Sequence, residues 1–271
     1  MVLGFLKERR RRRLRAQPVP AAWRAIVERN LPIFRRLPRA DQAELLGHVQ
    51  VFLAEKIFEG CGGLTLTDEI RVTIAAQACL LLLHRETDYY PTLTTILVYP
   101  TGYAVEVEEP IAPGIWEAGD EHRLGHTGRR LNALVLAWDS TKHGAADPAD
   151  GENLVLHEFA HQLDFEDDLT DGTPALGTRA EYLAWARVMN EEFEALRAAE
   201  ESGQRTLIDQ YGATNPAEFF AVITEAFFER PHALRQRHPA LYSELSRFYR
   251  QDPTAFVPEP PAAAESGAPP A

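Results

Sequence analysis

Most of the chain is predicted to be helical, because apolar residues recur at helical spacing in several long segments. Thr67 is a good cap for a helix predicted over 68–84. Ile70, Ile74 and Leu81 fall on one stripe of that helix and would face a core. Comparable patterns predict further helices at 21–29, 40–56, 153–165, 181–199, 216–229 and 239–250.

Short runs of β-type residues occur in the middle of the chain. Residues 95–99 and 103–107 are predicted to form a hairpin through the turn at 100–102. The run at 132–138 is apolar at almost every position, so two interpretations stay open. It is either an edge strand that receives an extended substrate or a strand buried on both faces. We therefore predict an α+β fold, mostly helical, with a small mixed sheet.

The most specific chemical signal is the pentapeptide from His157 to His161, which reads HEFAH. On a helix the two histidines project from one face, and Glu158 lies beside them. This is the arrangement of two zinc ligands and a general base in HExxH metallopeptidases. The competing interpretation is a core helix in which both imidazoles are satisfied by hydrogen bonds alone.

A zinc ion at such a site needs a third protein ligand and keeps its fourth position for water. Asp167 lies where some related motifs place a ligand, but Asp164 replaces the glycine that turns the chain there. A second helix offers a better carboxylate. Asn215 and Pro216 are typical of a helix start, which places Glu218 in the first helical turn.

Several roles stay open for the acidic residues near this motif. Glu218 is either the third ligand or the partner of Asn215 in a capping box. Glu225, on nearly the same helix face, is a reserve ligand or an acceptor that orients an imidazole. Asp164 is a comparable acceptor or simply a solvated acid.

Three segments resemble the Mlc titration factor A family of bacterial zinc peptidases. They are residues 151–164 around the HEFAH motif, residues 211–229, and the earlier run 96–100. The resemblance extends over roughly 23–249. It implies a zincin-like fold with an HExxH helix, similar in its catalytic core to anthrax lethal factor.

The resemblance also implies roles for individual residues. His157, His161 and Glu218 match the family's metal ligands, for one Zn²⁺ per chain. Glu158 matches the general base, and Tyr211 matches a tyrosine that assists at the reacting carbonyl. The implied activity is aminopeptidase-like cleavage of small peptides. The family is further expected to bind Mlc, a transcription repressor of glucose uptake genes.

Three classes of function follow. The first is a peptidase acting on a peptide substrate, and the second is a regulatory protein that sequesters a repressor, with hydrolysis secondary. The third is a metal-dependent hydrolase of a non-peptide amide, which HExxH alone does not distinguish from the first.

Composition and charge limit the alternatives. A single domain is predicted over 21–250, followed by a Pro- and Ala-rich disordered tail over 251–271. No apolar run is long enough for a membrane span, and the two cysteines suit a cytoplasmic protein without disulfides. The net charge of −12 argues against nonspecific nucleic-acid binding. The basic arm, residues 1–20, is predicted to be solvated, with anionic lipid or nucleic acid as alternative partners.

Overall fold

The computed structural model describes residues 2–112, 115–123, 125–128, 132–146, 151–167 and 169–259, with the backbone alone given for those between 103 and 128. The described helices are α1 (Val2–Arg15), α2 (Ala21–Asn30), α3 (Arg39–Glu55), α4 (Asp68–Leu80), α5 (Trp138–Ala146), α6 (Leu154–Asp164), α7 (Arg179–Glu201), α8 (Pro216–Glu229), α9 (Pro231–Arg237) and α10 (Pro239–Tyr249). The described strands are β1 (Ile57–Gly60), β2 (Thr95–Tyr99), β3 (Tyr103–Ala112), β4 (Ile115–Arg123), β5 (Gly125–Gly128) and β6 (Ala133–Ala137). The prediction of a mostly helical α+β fold with a small mixed sheet is confirmed.

Capping residues set the starts of the helices that matter for the site. The Thr67 side chain accepts a hydrogen bond from Ile70 N–H at the start of α4. Asn215 does the same for α8, with Pro216 at the first helical position as predicted. These local signals act within three or four residues of sequence, which is why the sequence alone predicted both starts.

The four-stranded sheet has the order β1-β2-β6-β5. Strands β1, β2 and β6 are parallel, and β5 runs antiparallel to β6. The predicted hairpin between 95–99 and 103–107 is wrong. Strand β2 has a parallel neighbour on each side, and β3 pairs with β4 in a separate two-stranded sheet.

Strand β6 is not an edge strand, so that interpretation of 132–138 is also wrong. Its backbone pairs with β2 on one side and with β5 on the other. Four of its five residues are buried, which agrees with the alternative of burial on both faces. The short strand β5 forms the edge of the sheet on this side and contacts α6.

The basic arm was predicted to be solvated, and for one face of it that prediction is wrong. Residues 2–15 form α1, which packs against α3. Arg11 is only 4% exposed, because its guanidinium pairs with Glu55 at 2.7 Å and with Asp88. These partners lie far away in sequence, so the charge pattern of the arm alone gave no sign of them.

The end of the chain also differs from expectation at its boundary. Gln251 is buried and donates to the carbonyl oxygen of Leu80, and Phe256 and Val257 pack against the core. The first residues of the predicted tail thus belong to the packed body, while residues 260–271 lie outside the described part. The single domain over 21–250 stays a prediction.

Helices α6 and α8 pack against each other in the centre of the molecule. The inner face of α6 contributes Phe159, whose ring meets those of Phe52 and Tyr90. Residues 219–229 of α8 are all buried. Among the described residues, no helix combines the length and apolar character that a membrane crossing requires. The two site helices are therefore fixed by core packing over most of their length.

Candidate metal centre

Helix α6 carries the HEFAH segment and leaves its two histidines partly exposed. Asn153 caps the helix by accepting a hydrogen bond from Leu156 N–H at 3.0 Å. The apolar residues of α6 face the core, whereas His157 and His161 keep 15% side-chain exposure. The helical spacing of four places the two imidazoles one turn apart on the open face, as the sequence predicted.

Helix α8 brings Glu218 to the same point. Asn215 accepts the Glu218 N–H at 3.0 Å, so the cap uses the backbone of Glu218. The Glu218 carboxylate turns towards the two histidines. The capping alternative is therefore half right, because Asn215 caps the helix while the acid faces the imidazoles.

Three atoms from these side chains form a compact triangle. The two Nε2 atoms of His157 and His161 are 3.2 Å apart. Glu218 Oε2 lies 3.0 Å from His157 Nε2 and 3.3 Å from His161 Nε2. A tetrahedral zinc ion with ligand bonds of about 2.0–2.1 Å separates its ligand atoms by about 3.3 Å. The residues present therefore fit a zinc ion in both donor type and spacing.

Electrostatics at this triangle favour a positive charge. Burial lowers the pKa of His157, but its hydrogen bonds with Glu218 and Glu225 outweigh burial and raise the pKa to about 10. Burial raises the pKa of Glu218, and its contacts with both histidines lower it to about 2. The negative carboxylates that favour a proton on this imidazole also attract a divalent cation, which would take the place of the proton on the ring nitrogen.

Glu225 supports the site from behind. Its Oε1 lies 2.7 Å from Nδ1 of His157, so Nδ1 donates and Nε2 points at the triangle. Burial raises the pKa of Glu225, while its contact with His157 opposes that shift. Of its two predicted roles, the structure shows the acceptor that orients an imidazole.

Asn153 joins three helices at this place. Its backbone N–H donates to Glu225, and its Nδ2 donates to Glu229 of α8 at 2.9 Å and to the Gly144 carbonyl of α5 at 3.2 Å. The sequence analysis included Asn153 in the helix but missed this role. Asparagine just before an apolar helical run is a cap signal, and capping was the part of its role that could have been found.

The two predicted catalytic residues come from different elements, Glu158 from α6 and Tyr211 from the turn before α8. Glu158 is buried on α6 directly after His157. Tyr211 lies in the 3₁₀ turn Gln210–Ala213, and its exposed ring is centred 6.1 Å from that of His157. Both predicted catalytic residues are thus near the candidate metal centre.

Asp164 anchors a loop, a role that the sequence analysis did not foresee. It is fully buried, so it is not a solvated acid, and its Oδ2 accepts the Gly172 N–H at 3.1 Å. Burial raises its pKa to about 6, although that hydrogen bond acts in the opposite direction. Gly172 has φ +77°, and a Cβ there would lie 2.3 Å from the carbonyl oxygen of Pro216. The loop therefore packs directly against the first turn of α8.

Asp167 ends a 3₁₀ turn that follows α6, and its side chain lies outside the described part of the structure. Its predicted role as an alternative ligand therefore stays a prediction.

Another group of potential ligands lies elsewhere in the described part of the chain. Asp41, Glu44 and His84 form a second cluster near the start of α3. The sequence analysis did not single it out.

The family model described as glucose-regulated metallo-peptidase M90 matches residues 5–250. The chain belongs to this family. An uncharacterized protein of Synechocystis is 40% identical over 90% of this chain and 89% of its own length. Mlc titration factor A of Serratia proteamaculans is 31% identical over 83% of this chain and 86% of its own. The protein of the same name from Salmonella typhi is also 31% identical, over 83% and 84%.

Membership in the M90 family makes this chain a metallopeptidase and confirms the predicted resemblance. The family's chemistry requires a metal ion. Among the described residues, two clusters bring three potential ligand atoms within 4.8 Å of one another. The cluster of His157, His161 and Glu218 is the more buried of the two.

Proposed function

We propose that this protein is a zinc-dependent peptidase in which His157, His161 and Glu218 hold one Zn²⁺. The observation that carries the proposal is the triangle of two Nε2 atoms and one Oε2 atom, whose edges of 3.0, 3.2 and 3.3 Å match a tetrahedral zinc site. Two imidazoles and one carboxylate are also the ligand set of many catalytic zinc sites.

A zinc ion bound there would supply Lewis acidity that polarises the substrate carbonyl and a water molecule. Glu158, buried next to His157, accepts a proton from the attacking water and donates it to the leaving amine. Its place in α6, directly after His157, supports this assignment. Proton transfer by a positioned carboxylate typically contributes about 10²–10⁴-fold to the rate.

Tyr211 is proposed to donate its phenol hydrogen to the oxyanion that forms at the reacting carbonyl. Its exposed ring is centred 6.1 Å from that of His157, on the turn that precedes α8. This position lets the ring reach a substrate without disturbing the ligand on α8.

The substrate backbone is proposed to lie along β5. This strand pairs with β6 on one side and is the sheet edge on the other, and it contacts α6. An extended peptide can add to such an edge through main-chain hydrogen bonds, which read no side chain. The substrate role predicted for β6 is thereby transferred to its neighbour.

Short peptides cleaved from the amino end are the proposed substrates, on the strength of the family resemblance in the sequence. A second candidate function is binding of an Mlc-like transcription repressor, which the name of two relatives, Mlc titration factor A, favours. The two functions are compatible because only the first needs Glu158. Cys61 and Cys79 are free thiols, which supports the proposed cytoplasmic location.

The test compares wild type with Glu158→Gln and with Glu200→Gln, the same substitution at an exposed position on α7. Metal content is measured by elemental analysis, and hydrolysis is followed on aminoacyl p-nitroanilides and short peptides. We expect one zinc per chain in all three proteins. Hydrolysis should fall about 10²–10⁴-fold in Glu158→Gln alone.

Unchanged turnover in Glu158→Gln would refute the proposed base. A wild type that holds zinc, hydrolyses none of these substrates and still binds a purified Mlc-like repressor would favour the regulatory function. Loss of repressor binding in a folded Glu158→Gln variant would contradict the separation of the two functions.

A further inference from the structure

Helix α1 has two charged faces with different surroundings. On the inner face, Arg11 pairs with Glu55 and Asp88, and its guanidinium also lies 4.7 Å from the centre of the Tyr89 ring. Lys7 and Arg15, one turn to either side, pair with Asp88 and Glu8. The inner cations are therefore matched by acids, and the ion pairs of Lys7 and Arg11 fasten α1 to the body.

The outer face carries the exposed arginines Arg9, Arg10, Arg12 and Arg13. None of them forms an ion pair with a residue that the structure describes, and the one hydrogen bond shown is from Arg10 to the Ala54 carbonyl. Arg9 and Arg13 are four residues apart on a helix, where like charges repel. An external anion at this face would offset that repulsion.

Two large apolar side chains extend the same face. Phe5 is 67% exposed and Leu6 is 51% exposed, one turn before the arginines. At helical spacing, Phe5 precedes Arg9 by four residues, and Leu6 precedes Arg13 by seven. The outer face thus combines a basic patch with an exposed apolar end.

A shallow groove of about 300 Å³ runs along this helix. Leu6 and Leu14 contribute its apolar walls, and Arg9, Arg10 and Arg13 contribute guanidinium groups. An apolar groove beside several guanidinium groups suits a molecule that has both an anionic head and an apolar tail.

We infer that the outer face of α1 docks this protein onto a membrane surface rich in anionic phospholipid. Basic amphipathic helices lie in the lipid headgroup region, with their large apolar side chains inserted and their cations on the phosphates. Nucleic acid would match the arginines but would leave Phe5 and Leu6 in water.

The charge balance is compatible with this orientation. Residues 7–15 carry seven cations against one acid, a charge of +6, so the remainder carries −18. At physiological salt, charges more than about 8 Å from a surface are largely screened. The electrostatic attraction between the protein and the lipid then depends mainly on the face nearest the lipid, which is the outer face of α1.

The test is vesicle co-sedimentation of the full chain. The probes are vesicles of phosphatidylcholine alone and of equimolar phosphatidylcholine and phosphatidylglycerol, at physiological salt. We expect binding to the anionic vesicles only. The double variant Arg9→Glu/Arg13→Glu should weaken it about 100-fold, since each basic residue near an anionic surface contributes substantially. Phe5→Ser should weaken it without any change in charge.

The matched control is Arg35→Glu/Arg36→Glu, an equal charge change at exposed arginines elsewhere on the body. It should bind as wild type does. Circular dichroism and thermal unfolding verify that the variants fold, and peptidase activity should be unchanged in all of them. Equal loss in the control, retained binding in Arg9→Glu/Arg13→Glu, or absence of vesicle binding in wild type would each overturn the inference. Displacement of the protein from the vesicles by a short DNA duplex would overturn the assignment to lipid in favour of nucleic acid.

Discussion

Two clusters in the described part of the chain hold three potential metal ligands each, and they differ in how their atoms converge. In the α6–α8 cluster (His157, His161 and Glu218), one atom from each residue contributes to a single triangle. In the α3 cluster (Asp41, Glu44 and His84), the two acids approach different nitrogens of one ring. Asp41 lies 3.3 Å from Nε2 and Glu44 lies 3.4 Å from Nδ1.

That difference bears on which cluster suits a metal ion. A metal ion binds one lone pair of an imidazole, so two acids that approach opposite nitrogens of one ring do not share an ion with it, whereas His157, His161 and Glu218 meet through their Nε2 and Oε2 atoms. Glu44 is further occupied by the His84 N–H at 2.8 Å and by His48 at 3.3 Å. His84 is also 37% exposed, with a left-handed backbone at φ +62°. Proximity of ligand residues alone is thus a poor guide to a metal site.

The largest expected effect comes from removing one carboxylate from each cluster. Glu218→Ala should abolish tight zinc binding, because two imidazoles alone leave the ion without its third protein ligand. Glu44→Ala should retain one zinc per chain. Elemental analysis and competition with a chelator measure both. Retained zinc in Glu218→Ala, or lost zinc in Glu44→Ala, would reverse the assignment of the two clusters.

Glu225→Gln sharpens the comparison by testing the acid behind His157, outside the triangle, for which the α3 cluster has no counterpart among the described residues. Mutation of the acid behind a metal-binding histidine typically lowers affinity about 10–100-fold, and glutamine here removes the negative charge of that acid. We expect a decrease in that range, with the fold retained because glutamine has nearly the same shape. Isothermal titration with zinc provides the measurement. An unchanged affinity would mean that the negative charge of Glu225 does not contribute to zinc binding.

Gly172→Ala tests whether the loop held by Asp164 positions the α6–α8 cluster. A left-handed backbone disfavours alanine by roughly 1–2 kcal/mol. Gly203 is the control, because it too has positive φ but open space around it. Gly172→Ala should lower the free energy of unfolding more than Gly203→Ala and should also weaken zinc binding, since the added Cβ displaces Pro216. Equal effects of the two substitutions on the free energy of unfolding and on zinc binding would show that the close approach of Gly172 to Pro216 is unimportant.

The smallest expected effect is a pH dependence that belongs to the α3 cluster. The hydrogen bond with His48 lowers the pKa of Glu44 to about 2, against the opposing effect of burial. A carboxyl whose pKa is lower when folded stabilises the protein above its ordinary value of 4.5. That stabilisation is lost as the pH falls towards 2. Urea unfolding across this range should show a shallower decline for Glu44→Gln than for wild type, and parallel curves would contradict this role.

The sequence predicted how the residues of the α6–α8 cluster are arranged because its signals are local. Asn215 and Pro216 start α8, and the spacing of His157 and His161 puts both on one helical face. Each of these features depends on residues within one helical turn. The capping alternative for Glu218 could not be excluded from sequence, because its carboxylate is directed by histidines nearly sixty residues away.

Features that depend on distant partners were missed. The pairing of β2 with β1 and β6 joins segments separated by other elements, so a neighbouring apolar run was mistaken for its hairpin partner. The contacts of the inner face of α1 were missed for the same reason, since Arg11 meets acids from α3 and from the loop beyond α4. Local patterns predict where helices and strands lie, but not which surfaces they share.

The contacts of Asn153 have a consequence for how a cation enters the site. One side chain ties α5 and α8 to the cap of α6, so the ligand helices are preorganised when the chain folds. Metal binding then needs little rearrangement of the backbone. After chelation, uptake of zinc should proceed at the rate at which the hydrated ion exchanges its water, without a slow folding step. Such a centre would be quick to reload whenever zinc becomes available.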